Sequence, residues 1–336
     1  MRQRCAWIYL LFLLASCKHK EVPKAAFYYW KTVFRTDSAQ STLLKQAAAN
    51  TVYLRFFDVV WDEQKQAALP NAVFRTDQDL KPLHITPVIF ITNRVFQQLQ
   101  GKETDSLARK CHSLIAALAG KAGIAYQSVQ VDCDWTDGTK DKYFAFLRAF
   151  KTYSKKSLQA TIRLHQVKYR ERTGVPPVDK GVLMFYNMGK IRAGETASSI
   201  YNEQDAARYL SRLGTYPLAL DVALPLFSWV IQSREGRVIQ VYSKISRADL
   251  NNPSFFEETG GRYRARKSFF SKGIYIREND IFKPEETDLD ALKKAADQLS
   301  ERLPPLNTRT IIYYELANIN LPEFTTEALG KITDRF

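Results

Sequence analysis

The stretch SVQVDCDWTDGT, residues 128–139, sets Asp132 and Asp134 one residue apart in a strand-like run, with Thr136 next in the same row. Carboxylates are scarce in strand interiors, where a buried charge must find a partner or remain costly. Two acids on one face, gathered with polar groups from neighbouring strands, suit a site for chemistry or binding. The run LQATIRLHQV (158–167) puts Thr161, Arg163 and His165 on one parity, and TVYLRFFDVV (51–60) does so with Tyr53 and Arg55. RTIIYYELAN (309–318) offers Tyr313 and Glu315, GVLMFYNMG (181–189) offers Tyr186 and Asn187, and YPLALDVALPLFSW (216–229) ends on Trp229. The bland alternative is a buried structural network of Asp132, Asp134, Arg55 and Arg163. His19, His84, His112 and His165 show no metal spacing and there is no Cys/His cluster, so neither a metal nor a cofactor is expected.

These residues need a scaffold that gathers the ends of several strands. Strand-like runs at 25–34, 51–60, 85–92, 128–136, 158–167, 181–189, 216–229 and 309–318 alternate with helical patterns. TDSLARKCHSLIAALAG (104–120) carries apolar residues at Leu107, Cys111, Leu114, Ile115 and Leu118, one face of a helix. Residues 141–153, 202–214 and 288–303 behave alike. Eight such alternations predict an α/β fold, a (β/α)8 TIM barrel over 25–336, with a β-containing insertion at about 230–287 between strands 7 and 8. A doubly wound open sheet is the rival, weakened because no Gly-rich phosphate loop follows the first strand. In a barrel, alternate side chains face the interior, so Asp132, Asp134 and Thr136 form one inward row. Val131, Cys133 and Trp135 face the helix layer. Sites of such barrels lie at the C-terminal ends of the strands.

The N-terminus reads as a targeting segment. MRQR is basic, AWIYLLFLLA is a short apolar run, and Leu14-Ala15-Ser16-Cys17 follows in the manner of a bacterial lipobox. The expectation is a signal peptide at 1–16, lipidation of Cys17 and a tether over 17–24. The chain would then be lipid-anchored in the bacterial cell envelope, at the outer membrane, facing periplasm or surface. Cys111 and Cys133 read as buried small hydrophobes, with a disulfide between them left open. The formal charge of +14 would suit nucleic acid in a cytosolic protein. Outside the cytoplasm the partners it would suit are anionic lipid headgroups or acidic polysaccharide, a solvated basic surface being the commoner explanation, and no nucleic-acid partner is expected. Arg262, Arg264 and Arg266 share one face of the insertion and read as a charge-protected edge strand or a contact for an anionic surface.

VDCDWT resembles the fourth-strand signature of chitinase-like family-18 glycoside hydrolases, D-G-x-D-x-D-x-E, which often ends VDIDWE. LMFYN (183–187) resembles their sixth-strand M-x-Y-D, ALPLFSW (223–229) their seventh-strand G-x-P-x-Y region, and the insertion after strand 7 is a family feature. The chain is also similar to bacterial barrel proteins with an aspartate-rich fourth strand. In that family the terminal glutamate is the acid, and the substrate's acetamido group attacks, oriented by the preceding aspartate and a tyrosine. The resemblance implies Asp134 as the orienting aspartate, Asp132 as its inner partner and Tyr186 as the tyrosine. Asn187 stands in for the sixth-strand aspartate. Thr136 stands where the acid belongs, and a hydroxyl cannot match a carboxylic acid as proton donor. Three readings follow: a glycoside hydrolase with a relocated acid (Glu315 first, then Asp58 or His165), a lectin-like barrel that binds glycan, or a structural or assembly lipoprotein. Asp132, Asp134, Glu315 and His165 are thus the catalytic candidates, and Tyr186, Asn187, Arg163, Arg55, Thr136 and Trp229 the candidates for holding a glycan or cell-envelope polysaccharide.

Overall fold

The computed structural model describes residues 22–336 except 47–49, 102 and 319–322. Cys17, the expected signal segment and most of the expected tether therefore lie outside the described residues. Eight parallel strands close a ring: β1 (Lys24–Tyr29), β2 (Thr51–Asp62), β3 (His84–Ile91), β4 (Ser128–Asp132), β5 (Ser157–Arg163), β6 (Lys180–Met184), β7 (Leu220–Pro225) and β8 (Thr310–Tyr314). Closure comes from β1, which pairs with β8 in the register Lys24↔Thr310 and with β2 in the register Phe27↔Val52. The closed (β/α)8 barrel predicted from the alternation is what forms.

Two cores follow from strand parity. Outward residues such as Val131, Cys133, Trp135 and Ile162 pack with the helices Glu103–Ala122, Lys140–Ser154 and Leu289–Ser300 in one large cluster. Inward residues make a second cluster of Ala26, Tyr28, Tyr53, Val88, Val182, Met184, Tyr186, Ala223 and Ile312. Cys111 and Cys133 are both buried and both free thiols.

Several strands end sooner than their apolar patterns suggest. β4 stops at Asp132 instead of running to 136, because Trp135 docks sideways: its Nε1 donates to Thr173 O at 2.8 Å and its ring stacks on Tyr143 at 5.1 Å. β5 turns at Arg163 into the short helix Leu164–Lys168, capped by Gln166 Oε1, which accepts from Arg163 N. β6 stops at Met184 and β7 at Pro225. Trp229 instead opens an antiparallel excursion of five strands, order Arg237–Tyr242, Trp229–Arg234, Ile281–Glu285, Arg262–Ala265, Phe256–Thr259. A separate hairpin, Phe269–Ser271 with Ile274–Ile276, projects from it.

Candidate functional site

The row read from sequence lies at the C-terminal mouth of the barrel, divided by depth. Asp132, at the last position of β4, is buried and accepts from Thr161 Oγ1 at 2.6 Å; Arg163 Nη2 stands 4.0 Å away. Burial pushes the Asp132 carboxyl above the usual carboxylate range, against the pull of Arg163 and Thr161. Asp134 is 55% exposed and receives Arg163 Nε at 2.6 Å. Burial works against the charge of Arg163, but Asp132 and Asp134 outweigh it and hold its proton more firmly. Arg163 thus stands between the two aspartates, which explains how the barrel tolerates both.

A cleft of about 490 Å³ opens over this pair, lined by Asp134, Thr136, Arg163, His165, Tyr186 and Asn187 together with Met184, Met188 and Tyr209. Among the described lining residues Asp134 is the one carboxylate. Thr136 is committed to the turn that starts the helix Lys140–Ser154: its N–H donates to Thr139 Oγ1 at 2.9 Å and its hydroxyl lies 3.3 Å from the same atom. Thr139 in turn donates to Asn93 Oδ1 at 2.6 Å. His165 lies on the exposed wall, and partial burial of its ring lowers its pKa, opposed by Asp134. Asn187 takes a left-handed backbone, φ 54°, and donates its N–H to Ile200 O at 2.7 Å.

An aromatic floor underlies the mouth. Tyr186 stacks on Tyr314 (5.3 Å) and meets Phe227 edge-on (5.7 Å); Tyr314 also touches Trp30 (5.8 Å) and Tyr28 (5.7 Å). Tyr186 OH donates to Met184 Sδ at 3.7 Å, and burial raises the pKa of this hydroxyl well above its usual value.

Other sequence candidates stand apart from the cleft lining. Arg55 makes a bidentate pair with Asp58 and donates Nη1 to Trp30 O at 3.0 Å. The strand register slips between Arg55 and Phe57, a bulge that sends Phe56 and Phe57 both outward and so lets residues three apart meet on the inner face. Glu315 is buried, its Oε2 accepting from Trp30 N at 3.0 Å. Tyr313, read as an inward residue, faces the helix layer, with its OH donating to Leu329 O at 2.8 Å. Trp229 gives its indole N–H to Glu285 Oε2 at 2.9 Å. Sequence reading put Thr161 on the inward row with Arg163 but gave it no role, and it missed Gln166, Tyr209 and Glu285. Gln166 caps Arg163 N locally but also donates to Trp135 O 31 residues away, and Glu285 meets Trp229 across 56 residues, separations that no local pattern announces.

No family model matches the chain and no curated protein matches it by sequence. Solved structures do match. A chitinase from Chromobacterium violaceum superposes with a TM-score of 0.55 at 12% identity, covering 93% of this chain and 98% of that one. A chitinase-like agglutinin from Robinia pseudoacacia gives 0.52 at 9% identity over 92% and 99%. The fold is that of a divergent chitinase-like barrel. A family-18 chitinase from Cycas revoluta in complex with (GlcNAc)4 agrees, at 0.52 and 12% identity over 93% and 99%.

Proposed function

We propose that the protein binds a glycan of the bacterial cell envelope in the cleft at the barrel mouth and holds it without hydrolysis. One observation carries this reading: the only carboxylate among the described cleft residues, Asp134, is engaged by Arg163 at 2.6 Å; the resemblance, for its part, puts Thr136 where the family has its acid. A general acid must be free to reach the leaving oxygen, and the Asp134 carboxyl is instead taken up by Arg163 Nε. Asp132 has the raised pKa of an acid but is buried and held by Thr161. The cleft instead offers what sugar recognition needs. Asp134, His165 and Asn187 present hydrogen-bonding groups for hydroxyls, and Tyr209, half-buried in the lining, presents ring surface for the apolar face of a pyranose. The (GlcNAc)4 complex of the Cycas neighbour and the agglutinin among the neighbours support a saccharide as the occupant.

In the same reading, Cys17 carries lipid and holds the barrel at the envelope, as the pattern of residues 1–17 suggests. Labelled-palmitate incorporation into the full chain, lost in Cys17→Ser, is the expected result. For the cleft, a glycan panel is screened for binding and for release of reducing ends, with Asp134→Asn beside the natural chain. Binding without turnover, weakened by the substitution, is expected. Turnover abolished by Asp134→Asn would establish a hydrolase and overturn the binding-only reading, and silence on both would leave the barrel as a scaffold.

A further inference from the structure

Residues 262–277, RYRARKSFFSKGIYIR, contain six arginines and lysines and no Asp, Glu, Asn or Gln. The hairpin within this segment alternates its side chains. Phe269 packs on Phe255 (4.5 Å) and Phe256 (5.6 Å), and Ile276 is buried, so one face is fixed to the excursion sheet. The opposite face presents Phe270 and Tyr275, partners across the ladder with ring centroids 5.0 Å apart. Phe270 is 76% exposed, the most exposed large hydrophobic among the described residues, and Tyr275 is 50% exposed. Lys272 and Gly273 at the tip both take positive φ (49° and 77°), the tight turn that holds two short strands in this register. Arg266 and Lys267 are exposed and make no ion pair among the described residues; Lys267 Nζ lies 4.4 Å from the Phe255 ring centroid.

Exposed paired aromatics cost solubility unless something covers them. We propose that this hairpin docks on an anionic bilayer surface, its two rings entering the headgroup region and Arg266 and Lys267 meeting lipid phosphates, while Arg264, Lys272 and Arg277 stay paired with Glu257, Asp249 and Glu235. Amphipathic aromatic rings settle at that depth, and each Lys or Arg held near an anionic leaflet adds attraction. A sugar platform of the usual kind would set free amides or carboxylates beside its rings to take up hydroxyls, whereas this segment has none of its own and the carboxylate at its tip, Asp249, is held by Lys272 at 2.7 Å. The site is separate from the cleft and does not depend on what the cleft holds.

The test uses residues 22–336, which supply all eight barrel strands and the excursion, so that no lipid on Cys17 contributes. Co-sedimentation is measured with phosphatidylcholine vesicles with and without phosphatidylglycerol, at low and high salt. Binding is expected only with phosphatidylglycerol, weakening as salt rises. Phe270→Ser combined with Tyr275→Ser, and separately Lys267→Glu, are each expected to reduce it by about tenfold. Equal binding to neutral vesicles, no binding to either, or variants that bind as well as the natural chain would each overturn the proposal. A soluble sulfated polysaccharide that binds as tightly as the vesicles and displaces them would overturn it too. Should the double variant melt early, Lys267→Glu, which leaves Phe270 and Tyr275 themselves unchanged, decides alone.

Discussion

Replacing Glu285 by alanine should unfasten the excursion from the barrel. This carboxylate is buried and accepts four hydrogen bonds: Ser199 N (2.9 Å), Ser199 Oγ (2.6 Å) and Trp229 Nε1 (2.9 Å) on one oxygen, and Lys283 Nζ (2.7 Å) on the other. Lys283 is itself nearly buried, its side chain 14% exposed. Alanine leaves three donors and one ammonium without their acceptor. Breaking a buried pair from one side costs about 3–5 kcal/mol, roughly a 5–8 °C fall in Tm for a domain of this size. Burial works to raise the Glu285 pKa, but Lys283, Ser199 and Trp229 outweigh it and hold it below the ordinary glutamate value. The fold therefore binds the Glu285 proton less readily than the unfolded chain does. Its contribution is fully present above the ordinary glutamate range and is lost as pH falls through the lowered value. Urea unfolding of the natural chain, Glu285→Ala and Glu285→Gln across the acid range measures both effects. Glutamine keeps one acceptor oxygen and should fall between the other two while losing this part of the acid dependence. A loss of less than about 1 kcal/mol for Glu285→Ala would mean that water replaces the carboxylate without difficulty, and the reasoning would fail.

Three further outcomes are expected. The His165 ring should titrate below its ordinary value, and Asp134→Asn, by removing the charge that opposes the effect, should lower it further; an upward move in an NMR titration would refute the assignment. Trp135→Ala empties a fully buried site and should cost about 3–5 kcal/mol in unfolding experiments, with weakened cleft binding because Asp134 and Thr136 flank it. Gly189→Ala would set a Cβ 2.9 Å from Ser199 Cα, and that backbone cannot yield cheaply. It should destabilise by about 1–3 kcal/mol and disturb binding through Met188 and Asn187, measured by melting and by titration with whichever glycan binds.

The barrel was legible because period-2 and period-3.6 patterns alternate along the whole chain, and each strand carries its own parity. Parity also placed Asp132, Asp134, Arg163 and Tyr186 at one mouth, since the alternation continues into Asp134 and Thr136 even where the ladder ends at Asp132. It failed at the end of β8. Tyr313 belongs to the outer core, where Leu329 O and Thr333 receive it, and Glu315 beyond it turns to the Trp30 N–H. Trp229 carried a similar ambiguity: an aromatic at a strand end reads as mouth surface, but its partner Glu285 lies 56 residues on, at the end of the strand that returns beside it. Contacts of that span depend on how the excursion folds back, which no local period records.

The pairing of Lys24 with Thr310 has a consequence for the order of events during synthesis. Helix-bearing units in the first half can collapse locally as they emerge, but the ring stays open until the last strand arrives, with one side of β1 and one side of β7 unpaired. Closing a contact of such long sequence separation is slow, and open strand edges invite pairing with other chains in the interval. The excursion lengthens that interval, because residues 229–285 must be made between β7 and the strand that seals it. A ribosome pausing within them would hold the barrel at its most adhesive stage.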